Sequence, residues 1–335
     1  MLIANSPHNH GGDSVRKNML RVILALMPAY IASIYYFGLG ALAVSLISIA
    51  SCVFFEFIIA KYLMKQEPTI TDCSAILTGL LLALNVPTNL HWWIMIIGAA
   101  VAIGIGKMAF GGLGSNPFNP ALVGRVFLLI SFPAQMTTWP VPEHFSTHYM
   151  DAETGATPLS IIKSLANTQV DGSSSATAIN GIKDMIASLP DYLQLLYGNT
   201  GGSMGEICAI ALILGGIYLL CTRTITWHIP VSILATVTIF TAILHGVNPV
   251  NYVDPLYHLL TGGMLLGAIF MATDYATSPM THAGQIIYGI GIGVITVVIR
   301  LWGSYPEGMS FAILIMNAVT PLINKYVRPK PFSKL

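Results

Sequence analysis

The chain has 335 residues, of which 54% are hydrophobic and 9% charged, against roughly 25% charged in an ordinary soluble domain. That composition excludes a soluble globular fold and points to an all-α polytopic membrane protein. A formal net charge of +1 leaves no concentrated basic face, so nucleic acid is excluded as a partner.

In chain order, the first stretch, "MLIANSPHNHGGDSVRKNML", is polar, so the apolar run that follows is expected to be kept as an anchor rather than removed as a signal. Runs long enough to cross a bilayer are predicted at about 20–38, 40–63, 93–110, 206–221, 228–246, 284–302 and 308–325. Shorter apolar pieces lie near 73–86, 119–133 and 258–272. They count as membrane elements where protein satisfies their backbone. Together these give about ten elements, five on each side of a long polar stretch. The predicted domains are a cytoplasmic segment 1–19, a first membrane repeat 20–133, an external loop 134–204, a second repeat 205–325 and a cytoplasmic tail 326–335. Cys52, Cys73, Cys208 and Cys221 lie in apolar segments without CxxC spacing, so neither a disulfide framework nor a metal site is readable. A thiol at a helix end that serves as one ligand of a shared site is the alternative to a small buried hydrophobe.

Orientation follows from Lys and Arg. With the N-terminus cytoplasmic, Arg16, Lys17, Arg21, Lys61, Lys65, Lys107, Arg223, Lys325, Arg328, Lys330 and Lys334, eleven of the fifteen basic residues, fall on or near the cytoplasmic side. Both termini are then cytoplasmic, and the loop that carries Lys163 and Lys183 is outside. "ILTGLLLALNVP" and "LLTGGMLLGAIFMA" stand third in their groups of five and share a Thr-Gly followed by small residues and Leu. An odd number of elements per half makes the second half enter from the opposite face. This is the pattern of inverted repeats with a midplane site between discontinuous helices.

Within the external loop, "DAETGATPLS" raises a chemical question. Its Thr154-Gly155-Ala156-Thr157 core has no neighbouring base that would make a threonine hydroxyl a nucleophile, and Pro158 follows. Small residues around a hydroxyl suit an acceptor for a modifying enzyme, so Thr157 reads as a modified residue rather than a catalyst. An ordinary turn is the other reading.

"SPHNHGGDSVRKNMLRVILALMPA", "LTGLLLALNVP", "FGGLGSNPFNPALVGRVFL", "DAETGATPL" and "MATDYATSPMT", in this order along essentially the whole chain, resemble the D subunit of the Rnf electron-transport complex. The paralogous B subunit of the sodium-pumping NADH:quinone reductase is similar, but usually has a longer N-terminal extension, which favours the Rnf reading. The resemblance implies FMN attached to Thr157 through a phosphoester by a flavin transferase on the exported side, with Asp151, Thr154, Gly155 and Ala156 flanking it in the cofactor-binding stretch. It also implies a bacterial cytoplasmic-membrane subunit of an ion-translocating ferredoxin:NAD oxidoreductase, without catalysis of its own, coupled to Na+ or H+. Its partners are the other Rnf subunits, especially the flavin-bearing G subunit. The quinone-reductase subunit further implies a noncovalent riboflavin.

In "GGLGSNPFNPALVGRVF", Gly111, Gly112 and Gly114 permit tight turning, Pro117 and Pro120 stop helix before them, and Asn116 and Asn119 bring amides to the next helix start. This resembles a re-entrant loop. Its amides serve either a flavin or simple capping, and its glycines are no dinucleotide fingerprint. Arg125 and Asp274 are the intramembrane charges that demand a partner or a water path. Arg125 would hold a flavin phosphate or carbonyl, Asp274 would line an ion path, and a structural ion pair is the alternative for each. Glu56, Lys107 and Glu206 are expected near an interface. A solute channel or secondary transporter of the urea or ammonium channel kind is the competing function. The "TGAT" segment, which such a channel does not need, separates the two.

Overall fold

The computed structural model describes residues 14–65, 67, 69–145, 149, 153–168, 181, 185–249 and 251–328. The described residues are helical and loop, without a β-strand; one bridge pairs Pro140 with Thr154. Helix α1, Val15–Phe37, starts at Ser14, whose hydroxyl accepts from Lys17 N at 3.2 Å, and stops at Gly38, where φ is +58°. Helix α2, Leu39–Ile58, runs on through a π-turn, Ile59–Leu63. The third element, α3, is only Ser74–Leu84. Helix α4, Trp92–Gly104, and α5, Pro120–Ser131, complete the first group.

The second group opens with α7, Ala209–Cys221, which follows a short helix, α6, Pro158–Asn167, in the intervening polar stretch. Helix α8, His228–Val247, comes next. The apolar run predicted at 258–272 is not one piece. It is α9, Pro255–Leu260, then a break at Thr261–Gly263, then α10, Met264–Leu266, continued as a π-turn over Gly267–Met271. Gly262 takes φ +68° at the break, a value that favours glycine. Helices α11, His282–Trp302, and α12, Met309–Tyr326, end the fold.

Among the described residues, five helices are long and apolar enough to cross a membrane by length and composition: Val15–Phe37, Leu39–Leu63, Trp92–Phe110, His228–Val247 and His282–Trp302. The run expected at 206–221 is a helix of 13 residues, about 20 Å long at 1.5 Å per residue and so short of the roughly 30 Å apolar core. The outer faces keep large apolar side chains in the open, among them Leu24, Ile31, Leu46, Ile239 and Ile243. Exposed apolar surface on this scale needs lipid or partner protein around it. The chain is a multi-pass membrane protein.

Packing is tight where helices from the two groups meet. Helix α1 lies against α7, and a Cβ on Gly215 would run into the carbonyl oxygen of Ala25. Helix α2 packs on α3 and α4, α4 on α5, α8 on α9 and α11, and α11 on α12. The polar stretch is fastened to this body. Ser33 Oγ donates to Met204 O at 2.5 Å, Tyr36 Oη to Tyr197 O at 2.9 Å and Tyr149 Oη to Leu90 O at 2.6 Å. Gly205 N donates to Leu84 O at 2.7 Å, wedged so closely that a Cβ there would stand 2.8 Å from Leu84 and from Leu266. One residue of the connection therefore sits between the end of α3 and the end of α10.

Candidate functional site

Thr157 is the N-cap of α6. Its backbone is extended (φ −76°, ψ 152°), its Oγ1 accepts from Ser160 N at 3.2 Å, and Pro158 fills the first helical position, where a missing N–H costs nothing. The preceding residues are pinned to the chain at 139–141: Gly155 N donates to Trp139 O at 3.0 Å, and Val141 N to Glu153 O at 2.8 Å. Thr154 and Gly155 are exposed on this strap, as is Ala156, whereas Thr157 is buried, at 7% exposure. Asp151 lies outside the described residues.

Thr157 faces a small cavity of about 20 Å³ shared with Thr200, Glu206, Thr261 and Gly262. Behind Gly262 lies a buried group of charges. Arg300, 1% exposed, donates from Nη1 to His258 O at 2.6 Å and from Nη2 to Thr261 O at 2.9 Å. Those carbonyls end α9, where a cation is favoured by the unpaired C=O groups and the helix dipole. Across the break, Glu307 Oε1 accepts from Gly263 N at 3.0 Å, the complementary placement of an anion at the start of the next helical piece. Arg125 completes the set. Its Nη1 is 3.1 Å from Glu307 Oε1, its Nη2 bonds Glu307 Oε2, and Nη1 also reaches Ser310 Oγ. The broken helix is thus held open by opposite charges at its two inner ends.

The connection from the polar stretch reinforces this end. Tyr192 Oη donates to Asp254 Oδ2 at 2.8 Å, and its ring lies 4.6 Å from that of Tyr257. Burial, then the bond to Asp254, holds the Tyr192 phenol above its ordinary range.

Asn116, Asn119 and Asp274 come together elsewhere, around cavities of about 40 and 50 Å³ that include Met19, Leu77 and Leu81. Asn119 caps α5, accepting from Ala121 N at 3.1 Å and Leu122 N at 3.4 Å, and its Nδ2 donates to Met271 O at 3.2 Å, the end of the π-turn. Asn116 accepts from Gly114 N at 3.2 Å and donates to Phe118 O at 2.9 Å. It organises a loop in which Gly111, Gly112 and Gly114 all have φ near +100°. Asp274 accepts from Thr277 Oγ1 at 3.4 Å, and no described residue forms an ion pair with it. Arg125 belongs to the other region, with Glu307.

Glu56 and Lys107, expected near an interface, are at 0% and 1% side-chain exposure and form an ion pair at 2.7 Å. Ser74 Oγ accepts from Lys107 Nζ at 2.6 Å, and Thr69 Oγ1 donates to Glu56 Oε1 at 3.0 Å. Lys107 thereby ties the start of α3 as Arg300 ties the end of α9. Glu307 and Arg300 are site residues that sequence reasoning does not single out. The available signals were a glutamate in the "YPEGM" turn and an arginine late in an apolar helix.

Comparison with known proteins decides the family. A family model described as "NQR2, RnfD, RnfE family" matches residues 2–333. The chain belongs to this family. It is 44% identical to the D subunit of the Na(+)-translocating ferredoxin:NAD(+) oxidoreductase complex of Acetobacterium woodii, over 99% of this chain and 95% of that one. It is 43% identical to the D subunit of the proton-translocating ferredoxin:NAD(+) oxidoreductase complex of Clostridium ljungdahlii, over 99% and 96%. It is 40% identical to the D subunit of the ion-translocating oxidoreductase complex of Stutzerimonas stutzeri, over 96% and 93%. These relatives are subunits of oxidoreductase complexes, and family membership gives the chain the same standing: one subunit of a larger assembly.

Proposed function

We propose that the chain is the flavin-bearing membrane subunit of an ion-translocating ferredoxin:NAD oxidoreductase, with FMN esterified through its phosphate to Thr157. The observation that carries the reading is the position of the Thr157 hydroxyl at the N-terminus of a helix of ten residues, with Ser160 N directed at it. A phosphoester there is favoured by the free N–H groups and the helix dipole. The 20 Å³ cavity is far below the roughly 300 Å³ of a ligand pocket, so the isoalloxazine ring would lie outside it. When bound, the flavin supplies the electron chemistry, while the chain holds and orients it. The Asn116, Asn119 and Asp274 cavities, about 40 and 50 Å³, are likewise too small for a riboflavin ring in this conformation. Their open carboxylate suits a cation, and we assign Asp274 to the path of the coupling ion, Na+ or H+.

Two inverted five-element halves account for the packing. The contacts of α2 with α3, of α2 with α4 and of α4 with α5 have counterparts in those of α8 with α9, of α8 with α11 and of α11 with α12, and the third element is interrupted or short in both. The Lys and Arg distribution puts both termini in the cytoplasm and the Thr157 loop outside, where a flavin transferase and the flavin-bearing G subunit would meet it.

The test is covalent flavin that survives denaturation. Protein made with the transferase is expected to give an in-gel fluorescent band that Thr157→Ala removes and Thr154→Ala keeps; an undiminished band in Thr157→Ala defeats the assignment. A reporter fused after Lys183 is expected to behave as exported, and one after Lys65 as cytoplasmic. The reverse result overturns the orientation.

A further inference from the structure

The cavity beneath Thr157 contains a carboxylate that the preceding roles leave unused. Glu206 lies on the connection into α7 and lines that cavity with Thr157, Thr200, Thr261 and Gly262. Its Oε1 accepts from Ser203 N at 2.7 Å. Its Oε2 is shut off from solvent and makes no hydrogen bond of good geometry; its side-chain polar neighbour is Ser203, a residue 1% exposed whose Oγ has no other partner.

An ionised carboxylate in that condition is costly unless something pairs with it. The nearby arginines bond elsewhere through their Nη atoms, and the Nε of each, itself without a hydrogen-bond partner, does not reach Glu206. Arg125 bonds Glu307 and Ser310, and Arg300 bonds the carbonyls of His258 and Thr261. The charged groups facing Glu206 are Glu307, from the turn before α12, Arg125 from α5 and Arg300 from α11. Two arginines and two glutamates balance. A phosphodiester on Thr157 would bring one more negative charge to the same cavity, and at low dielectric like charges at this range repel strongly. The cavity, about 20 Å³, has room for a single water-sized occupant, and Thr157, Thr200 and Thr261 are among the residues that line it.

We propose that Glu206 is the anionic ligand of a site for one monovalent cation, a proton or a dehydrated alkali cation such as Na+, directly beneath Thr157. The proposal takes from the flavin reading only the extra negative charge; the orphaned Oε2 stands without it. Bound there, the cation neutralises the carboxylate beside the cofactor's anchoring end. This site is separate from Asp274, which lines a different cavity.

The test uses full-length, flavin-free protein made in a host that lacks the flavin transferase. Infrared difference spectra are recorded against pH in choline buffer, and against Na+ at fixed pH, for the wild type and Glu206→Gln. A carboxyl signal that answers at least one titration and is lost in Glu206→Gln is expected. Response to pH alone identifies the proton as occupant, and displacement of the protonated form by Na+ but not by choline identifies the alkali cation. Identical responses in wild type and Glu206→Gln overturn the site. Glutamine keeps an acceptor for Ser203 N, so the fold is expected to survive. Should Glu206→Gln not fold, Thr200→Val removes a cavity oxygen and leaves the carboxylate; it is expected to shift the titration midpoint, and an unshifted midpoint overturns the proposal. Absence of covalent flavin from wild type made with the transferase would defeat the Thr157 reading and leave the flavin-free titration to stand.

Discussion

The region beneath Thr157 and the region around Asp274 are both entered by a carboxylate from a loop, yet the protein surrounds the two carboxylates differently. Near Thr157, Arg125, Arg300 and Glu307 are packed among the ends of a broken helix, and each has charge-assisted bonds that also hold backbone or a partner side chain, while Glu206 beside them is held through one oxygen by Ser203 N. Around Asp274 the polar neighbours include Thr277, Asn119 and Asn116, and the cation that lines the same cavity, Lys107, is already paired with Glu56. The difference separates two uses of charge inside a membrane protein. A paired and bonded set fixes architecture, because removing one member strands the others. A carboxylate that faces a cavity without an ion-pair partner among the described residues is free to meet an exchangeable cation.

The sharpest way to break this comparison is to remove one member of the bonded set. Arg125→Ala or Glu307→Ala leaves a buried charge alone, at a cost of about 3–5 kcal/mol. Folded, monodisperse protein in detergent is expected to fall severely, with a lowered unfolding temperature in what survives. Wild-type yield and unfolding in either variant would show that the set is not architectural. Asp274→Asn is the counterpart at the other end. It is expected to keep yield and covalent flavin while lowering ferredoxin-driven ion uptake into vesicles containing the complex, normalised to flavin. Wild-type uptake would remove Asp274 from the path, and loss of yield would place it with the architectural charges. The smallest effect belongs to Asn119→Ala. Loss of the α5 cap is worth about 1 kcal/mol, and a further loss of similar size follows from the abandoned bond to Met271 O. Thermal unfolding resolves this against the Arg125 variants. A cost as large as theirs would mean that the Asn119 region is also built as a bonded set.

Much of this arrangement is legible in the chain itself. Apolar run lengths locate the long helices, and the short third element of each group is recognisable by its Thr-Gly and by the polar residues bounding it. The "TGAT" strap stands out because its hydroxyl lies between small residues and a proline. The pairing of Arg125 with Glu307 is not legible. The two are separated by 182 positions, and no periodicity links a helix interior to a turn that distant. Glu206 reads as an interface residue because the glycines before it, Gly201, Gly202 and Gly205, resemble a loop end. The structure uses Gly205 instead to pass between Leu84 and Leu266, which carries Glu206 inward. The break in 258–272 has a visible signal, the adjacent Gly262 and Gly263. Continuous hydrophobicity around that pair masks it, since an apolar run reports burial rather than helical continuity.

The Arg125–Glu307 pair also sets an order of events during biosynthesis. Arg125 leaves the ribosome 182 residues ahead of Glu307, a delay on the order of ten to forty seconds at about 5–20 residues per second. Through that interval the nascent chain has a guanidinium in α5 whose permanent counterion has not been made. Helix α5 must therefore wait at the membrane surface, lean on water or lipid phosphate, or be sheltered by the insertion machinery until the last two helices arrive. A chain truncated before the "YPEGM" turn would never release it from that state. Such a product is expected to be a substrate for membrane quality control rather than a stable half-protein.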